Sequence, residues 1–192
     1  EGLQRRQKVR VAVGKLRRHP RQRVEPRHRG LFGAAWHLGY LAQAADGGVE
    51  AVTVASPTGD FGIAYRKLPH AQPWFDTARG AKVYPLYHVI RGLAHAAGAK
   101  RIPAASGDAE RVRAVAWKKG RTTEVWLANL RDAEVEVKLR PAPKGKATLA
   151  LLDEASFAAA ARDPAFLDQG EPFKGAAVTL PPFAVARIRM TG

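Results

Sequence analysis

The stretch GLFGAAWHLGYLAQAADGGVEAVTVA, residues 30–55, decides the fold. Within it Leu31, Ala34, Ala35, Leu38, Leu41, Ala42 and Ala45 recur every three or four residues, the period of a helix with a wide buried face. The spacing predicts a helix over 30–46, ended by Gly47-Gly48, because glycine accepts the backbone turn that closes a helix. Residues 49–55 (VEAVTVA) follow at once, rich in β-branched side chains, and read as a buried strand. Upstream, VRVAV at 9–13 alternates in the manner of a short strand, and a basic loop joins it to the helix. Strand, helix and strand in that order predict a parallel pair with a right-handed crossover. A second helix is expected over 84–97 (YPLYHVIRGLAHAA), with Pro85 in the first turn, where a missing N–H costs nothing, and Gly98 at its end.

Near Lys100 the pattern changes. Residues 111–117, 122–129, 134–139 and 148–152 are short alternating segments about ten residues apart, separated by Gly120, Asp132 and the run Pro141 to Gly145. A helix over 154–161 interrupts them, and strands at 177–180 and 183–190 close the chain. Such spacing predicts an antiparallel β-sandwich over 100–192, set after an α/β unit over 1–99.

Composition narrows the functional classes. Apolar residues make up 46% of the 192, too many for a disordered chain, and no run approaches the roughly 20 apolar residues of a membrane helix. We therefore expect no membrane partner. There is no cysteine, which removes disulfides, thiolate metal sites and cysteine nucleophiles, and fits a cytoplasmic protein. The chain opens with Glu1 and lacks the apolar core of a signal peptide, so we expect a piece of a longer protein. The net charge of +15 is uneven. Residues 1–30 hold eleven Lys or Arg against two Glu, leaving only +6 for the remaining 162 residues. A basic arm of that kind can neutralise phosphates. Charge runs are more often solvated surface, and we read it so, which argues against nucleic acid as a partner.

Four stretches carry a resemblance. EPRHRGLFGAAWHLGYLA, VEAVTVASPTGDFG and VYPLYHVIRGLA, followed by LLDEASFAAAARDPAFLD with VTLPPFAVARI, resemble in order the corresponding parts of the D-apionate lactonase family. The closing stretch also resembles the tail of heparanase-like glycoside hydrolases. The resemblance implies the last β/α units of a TIM-type (β/α)8 barrel followed by the sandwich, with 9–13 and 49–55 as its seventh and eighth strands. It further implies an enzyme of D-apiose breakdown that opens a sugar lactone, D-apionolactone, to its acid. The basic loop over 14–29 and the ASPTG turn after residue 54 depart from the family pattern.

Barrel enzymes work at the C-terminal ends of their strands. Here those ends are Gly14-Lys15 and the turn Ser56 to Asp60. A retaining glycosidase needs a carboxylate nucleophile at the first of these, where Gly14 and Lys15 stand, so that chemistry is disfavoured. A lactonase needs an activated water and a cation or hydrogen-bond donor for the developing oxyanion, which Lys15 or Arg17 could supply. Thr58 and Asp60 could orient a sugar hydroxyl or a water, although Asp in such a turn commonly satisfies backbone donors. Trp74, next to Phe75, could form an apolar platform for a sugar face or simply pack its loop. The six histidines show no metal-ligand spacing, and nothing implies a cofactor. We expect the catalytic residues upstream of this chain and a small sugar lactone as the partner. Two other readings stay open: a glycoside hydrolase of heparanase-like plan, and a non-catalytic module that binds through the basic arm.

Overall fold

A computed structural model describes residues 26–49, 51–143 and 145–192. The expected strand at 9–13 and the candidates Lys15 and Arg17 lie outside the described residues. Helix α1 spans Leu31–Asp46 and α2 spans Pro85–His95 with proline in its first turn, close to the ranges the periodicity predicts. A single 3-10 turn, Pro26–Arg29, leads into α1. Residues 51–55 have no ladder partner among the described residues, and Ser56 makes only an isolated parallel bridge to Gly62. A strand exists through the hydrogen bonds of its neighbour, so β-branched composition alone does not create one.

The C-terminal half is antiparallel. Strands β1 (Lys100–Ile102), β2 (Val112–Lys119), β3 (Thr122–Asn129), β5 (Lys146–Leu152), β6 (Glu171–Pro172) and β8 (Val185–Thr191) form one sheet in the order β1-β2-β3-β8-β5-β6. Strands β4 (Val135–Lys138) and β7 (Ala177–Leu180) form a separate pair. Helix α3 (Phe157–Arg162) stands where the sequence predicts a helix. The short strands β1 and β6, of three and two residues, carry no alternation long enough to read.

Alternation along the strands divides the core in two. Val115, Trp117, Trp126, Ala128, Leu152 and Val185 face α1 and α2 and join their buried residues Ala34, Ala35, Leu38, Leu86 and Val89. Val112, Leu127, Ala186 and Ile188 point the other way and pack under Val178 and Leu180 of β7. The large sheet is thus a middle layer, with helices on one face and the β4–β7 pair on the other. Gly92 of α2 makes the helix contact possible: a Cβ there would lie 2.2 Å from the ring of Trp126, which is fully buried. Basic residues of the sheet close the helix ends. Arg101 donates to Ala45 O at 2.8 Å, and Lys119 Nζ donates to His95 O and Ala97 O at 3.0 and 2.8 Å. Cations at these carbonyls complement the helix dipoles. Phe183, expected to begin the last strand, has φ of 53° and belongs to the turn before it. Asn129 is fully buried and donates to Ala133 O, Leu180 O and Pro181 O, an internal clasp for the turn between the sheets. Among the described residues no helix is long and apolar enough to cross a membrane.

Candidate functional site

Two loops lead into the helices: the Pro26–Arg29 turn before α1 and the 56–82 segment before α2. The second begins as a tight bend. Ser56 N donates to Phe61 O at 2.8 Å and Ile63 N donates to Ser56 O at 3.0 Å, leaving Thr58, Gly59 and Asp60 at the tip. Gly59 has φ of 95°, open to glycine at little cost. Thr58 and Asp60 are exposed there, side by side on one turn.

The rest of the segment is held from within. Asp76 accepts from the backbone N–H of Gln72 at 2.7 Å and from the Tyr65 hydroxyl at 3.0 Å. The Gln72 N–H, with smaller help from Tyr65, Lys67 and the Gln72 amide, holds the Asp76 carboxyl below the usual range against the effect of burial. Gln72 is buried, donates to Arg66 O at 2.8 Å and accepts from the Tyr84 hydroxyl. Burial pushes the Tyr84 hydroxyl up despite nearby Arg29. Trp74, with φ of 68°, sets its ring edge-on to Phe75 and Phe157 and lies beneath Arg162 of α3. Those ring contacts tie the loop to Phe157 and Arg162 of the C-terminal half.

What the structure brings to the tip is a pair of residues the sequence does not single out as ligands. Arg29 is 5% exposed, and its Nη2 donates to His70 Nε2 at 3.0 Å, with the guanidinium 5.7 Å from the Tyr84 ring centroid. His70 Nε2 also lies 3.7 Å from Asp60 Oδ1, beyond hydrogen-bond length. A guanidinium has no lone pair, so the ring nitrogen facing it accepts. No carboxylate forms an ion pair with Arg29 among the described residues, and its Nε has no hydrogen-bond partner. Beside it, His28 meets His37 edge-on at 4.9 Å and Phe61 at 6.1 Å. His37 Nδ1 bonds Gly33 O at 2.7 Å. These contacts span up to 41 residues of chain, which no local motif could signal.

Burial lowers His28, with further lowering from His37 and Arg29, and it lowers His37 against the opposing Gly33 carbonyl. Burial likewise lowers His88, whose Nε2 bonds Ala160 O at 3.0 Å. A histidine depressed in the folded state binds fewer protons there than when unfolded. Its contribution is present above the unfolded value of about 6.5 and is lost as pH falls from there through the folded value. We expect the melting temperature to fall between pH 7 and pH 5, and less steeply in a His37→Gln protein. A flat profile in the parent contradicts the burial of these rings.

Gly33 fixes the turn that carries Arg29, since a Cβ there would stand 2.2 Å from His28 O. Gly33→Ala is expected to displace Pro26–Arg29 and cost about 2–3 kcal/mol, in the range of forced overpacking. Denaturant unfolding reads the loss, and an unchanged midpoint rejects the tight approach. Among the described residues no group of three or more His, Asp or Glu is placed to hold a metal.

Comparison with known proteins gives two successive matches. Residues 12–98 match the D-apionate lactonase TIM barrel domain, and residues 109–188 match the D-apionate lactonase C-terminal immunoglobulin-like domain. No curated protein matches the chain. Among solved structures, a GH30 endoxylanase from Clostridium papyrosolvens C71 is 13% identical with a TM-score of 0.53, covering 84% of this chain and 39% of its own. A family 30 subfamily 8 xylanase from Clostridium acetobutylicum is 9% identical with a TM-score of 0.56, covering 85% and 40%. The catalytic domain of xylanase C from Talaromyces cellulolyticus is 13% identical with a TM-score of 0.52, covering 83% and 35%. At such identity the likeness concerns the fold alone. The chain spans 35–40% of the length of these structures.

Proposed function

The chain belongs to the D-apionate lactonase family, and from that premise we propose that it forms the C-terminal part of a cytoplasmic hydrolase that opens a sugar lactone, D-apionolactone, to D-apionate. In this reading residues 1–99 supply the last β/α units of the barrel and residues 100–192 the sandwich-like domain behind them. The observation that carries it is the succession of the two domains, barrel then immunoglobulin-like, over most of the chain.

The proposed site residues take roles that the chemistry requires. Lactone opening by water builds negative charge on the carbonyl oxygen, and a cation or N–H donor lowers that barrier. Lys15 and Arg17 are the proposed cations. Thr58 and Asp60, exposed on the loop before α2, orient a ring hydroxyl or the attacking water. Trp74, half-buried against Phe157, is the proposed apolar wall. A single pair of β/α units offers few strand ends, so the isolated 192-residue chain is expected to be inactive while the full-length protein hydrolyses the lactone. Both are assayed side by side on D-apionolactone and on an aryl glycoside. Turnover of the glycoside alone by the full-length protein moves the assignment to a glycoside hydrolase, and lactone turnover by the isolated chain overturns the division of labour.

A further inference from the structure

We propose that His70 is a substrate-touching donor of this site, presenting its Nδ1–H to the lactone carbonyl oxygen, and that Arg29 is the positioning residue that fixes this tautomer. The inference rests on the lactonase reading above and adds to it a residue and a role.

Four observations support it. Arg29 donates to His70 Nε2 at 3.0 Å, and a permanently protonated guanidinium can only donate, so the imidazole's proton sits on Nδ1. The His70 side chain keeps 36% of its surface exposed, and Nδ1 has no hydrogen-bond partner among the described residues, so that N–H is free for a ligand. The ring stands beside the Asp60 tip, on the loop that enters α2, which is where a barrel presents its chemistry. Arg29 itself is 5% exposed and has no ion-pair partner among the described carboxylates. Burying such a charge is costly without partners, and the bond to His70 and the face of Tyr84 offset part of that cost. A neutral imidazole oriented by a neighbouring group is a known way to polarise a carbonyl without moving a proton. Asp60, at 3.7 Å from the same Nε2, competes with Arg29 for the ring: pairing with Asp60 needs the proton on Nε2, which turns the wrong edge toward Arg29.

The test has two arms on the full-length protein. Nitrogen NMR of the ring is expected to show His70 protonated at Nδ1, and to lose that preference in Arg29→Gln. In the second arm, His70→Ala lowers kcat on D-apionolactone by about 100-fold, the size of one lost oxyanion donor, with KM within about threefold. His70→Asn, whose amide N–H can take the place of Nδ1–H, recovers at least tenfold over alanine, whereas His70→Gln, whose amide reaches the Nε2 position, does not. A proton on Nε2, or a kcat for His70→Ala within threefold of the parent, overturns the proposal. A parent that opens no lactone overturns the functional reading and with it the role given to His70, while the NMR arm still decides the Arg29 contact.

Discussion

Replacing Arg187 by methionine lowers the stability of the folded protein by about 3 kcal/mol, the cost of leaving a buried carboxylate without its partner. Arg187 lies on β8 and meets Glu124 of β3 through both Nε and Nη2, at 3.0 and 2.8 Å. Its Nη1 donates to Leu167 O and to Asp168, and Asp168 is held in turn by Arg91 of α2 at 2.7 Å. The guanidinium sits 5.7 Å from the centroid of Trp126, whose ring N–H donates to Glu124 at 3.2 Å. Helix, sheet and the turn at Phe166–Asp168 are therefore joined by one ionic network inside the apolar layer. Arg187→Met keeps the bulk and removes every donor, so Glu124 retains only Trp126 and the distant Arg189 at 3.9 Å. At about 2–4 °C per kcal/mol for a chain of this size, the midpoint falls roughly 6–12 °C. The double change with Glu124→Leu is expected to recover most of that loss, since two apolar residues leave no charge behind. A single mutant that melts with the parent, or a double mutant worse than the single, contradicts the network.

The same network sets an acid limit. Burial pushes the Asp168 carboxyl up, but Arg91 and Arg187 outweigh it and hold the group below the usual range. A depressed carboxylate stabilises the fold above its unfolded value, near 3.9, and that contribution disappears as pH falls through the folded value. Asp168→Asn should therefore flatten the loss of stability below about pH 4.

Gly92→Ala is expected to cost about 2 kcal/mol net. Alanine in a helix interior gains about 1 kcal/mol over glycine, so the gain would prevail if the site were open. It is not open: the new Cβ falls 2.2 Å from two ring carbons of Trp126, and Trp117 stacks behind that ring at 6.1 Å. The indole cannot retreat without disturbing Glu124 and Arg187. Overpacking at this distance belongs at the upper end of the usual 1–3 kcal/mol, which leaves the net loss. Chemical denaturation of the variant reads it directly, and a stabilised variant shows that α2 stands farther from the sheet.

These two sites also mark what the sequence could reveal. Helix α1 and strands β2, β3 and β8 are legible because their periods of 3.6 and 2 are sustained over seven residues or more. Strand β1 begins at Lys100, ahead of the alternating segments of the sequence. Residues 51–55 show the limit, since a parallel strand is made by its neighbours as much as by its own composition. The site follows the same division. Thr58 and Asp60 can be put forward as candidates by position, at a turn between a predicted strand and a predicted helix. Arg29 and His70 cannot, because 41 residues separate them and their meaning lies in a tertiary hydrogen bond. Arg29 reads in sequence as one of eleven cations in a basic arm, yet in the structure it is among the most buried polar residues.

Lactone opening by the full-length protein is read from the rate of proton release when D-apionolactone is added in a pH-stat. Acid is expected to form stoichiometrically, one proton per lactone opened, at a rate reduced about 100-fold by His70→Ala. A protein that is folded and monodisperse yet releases acid no faster than buffer alone contradicts it.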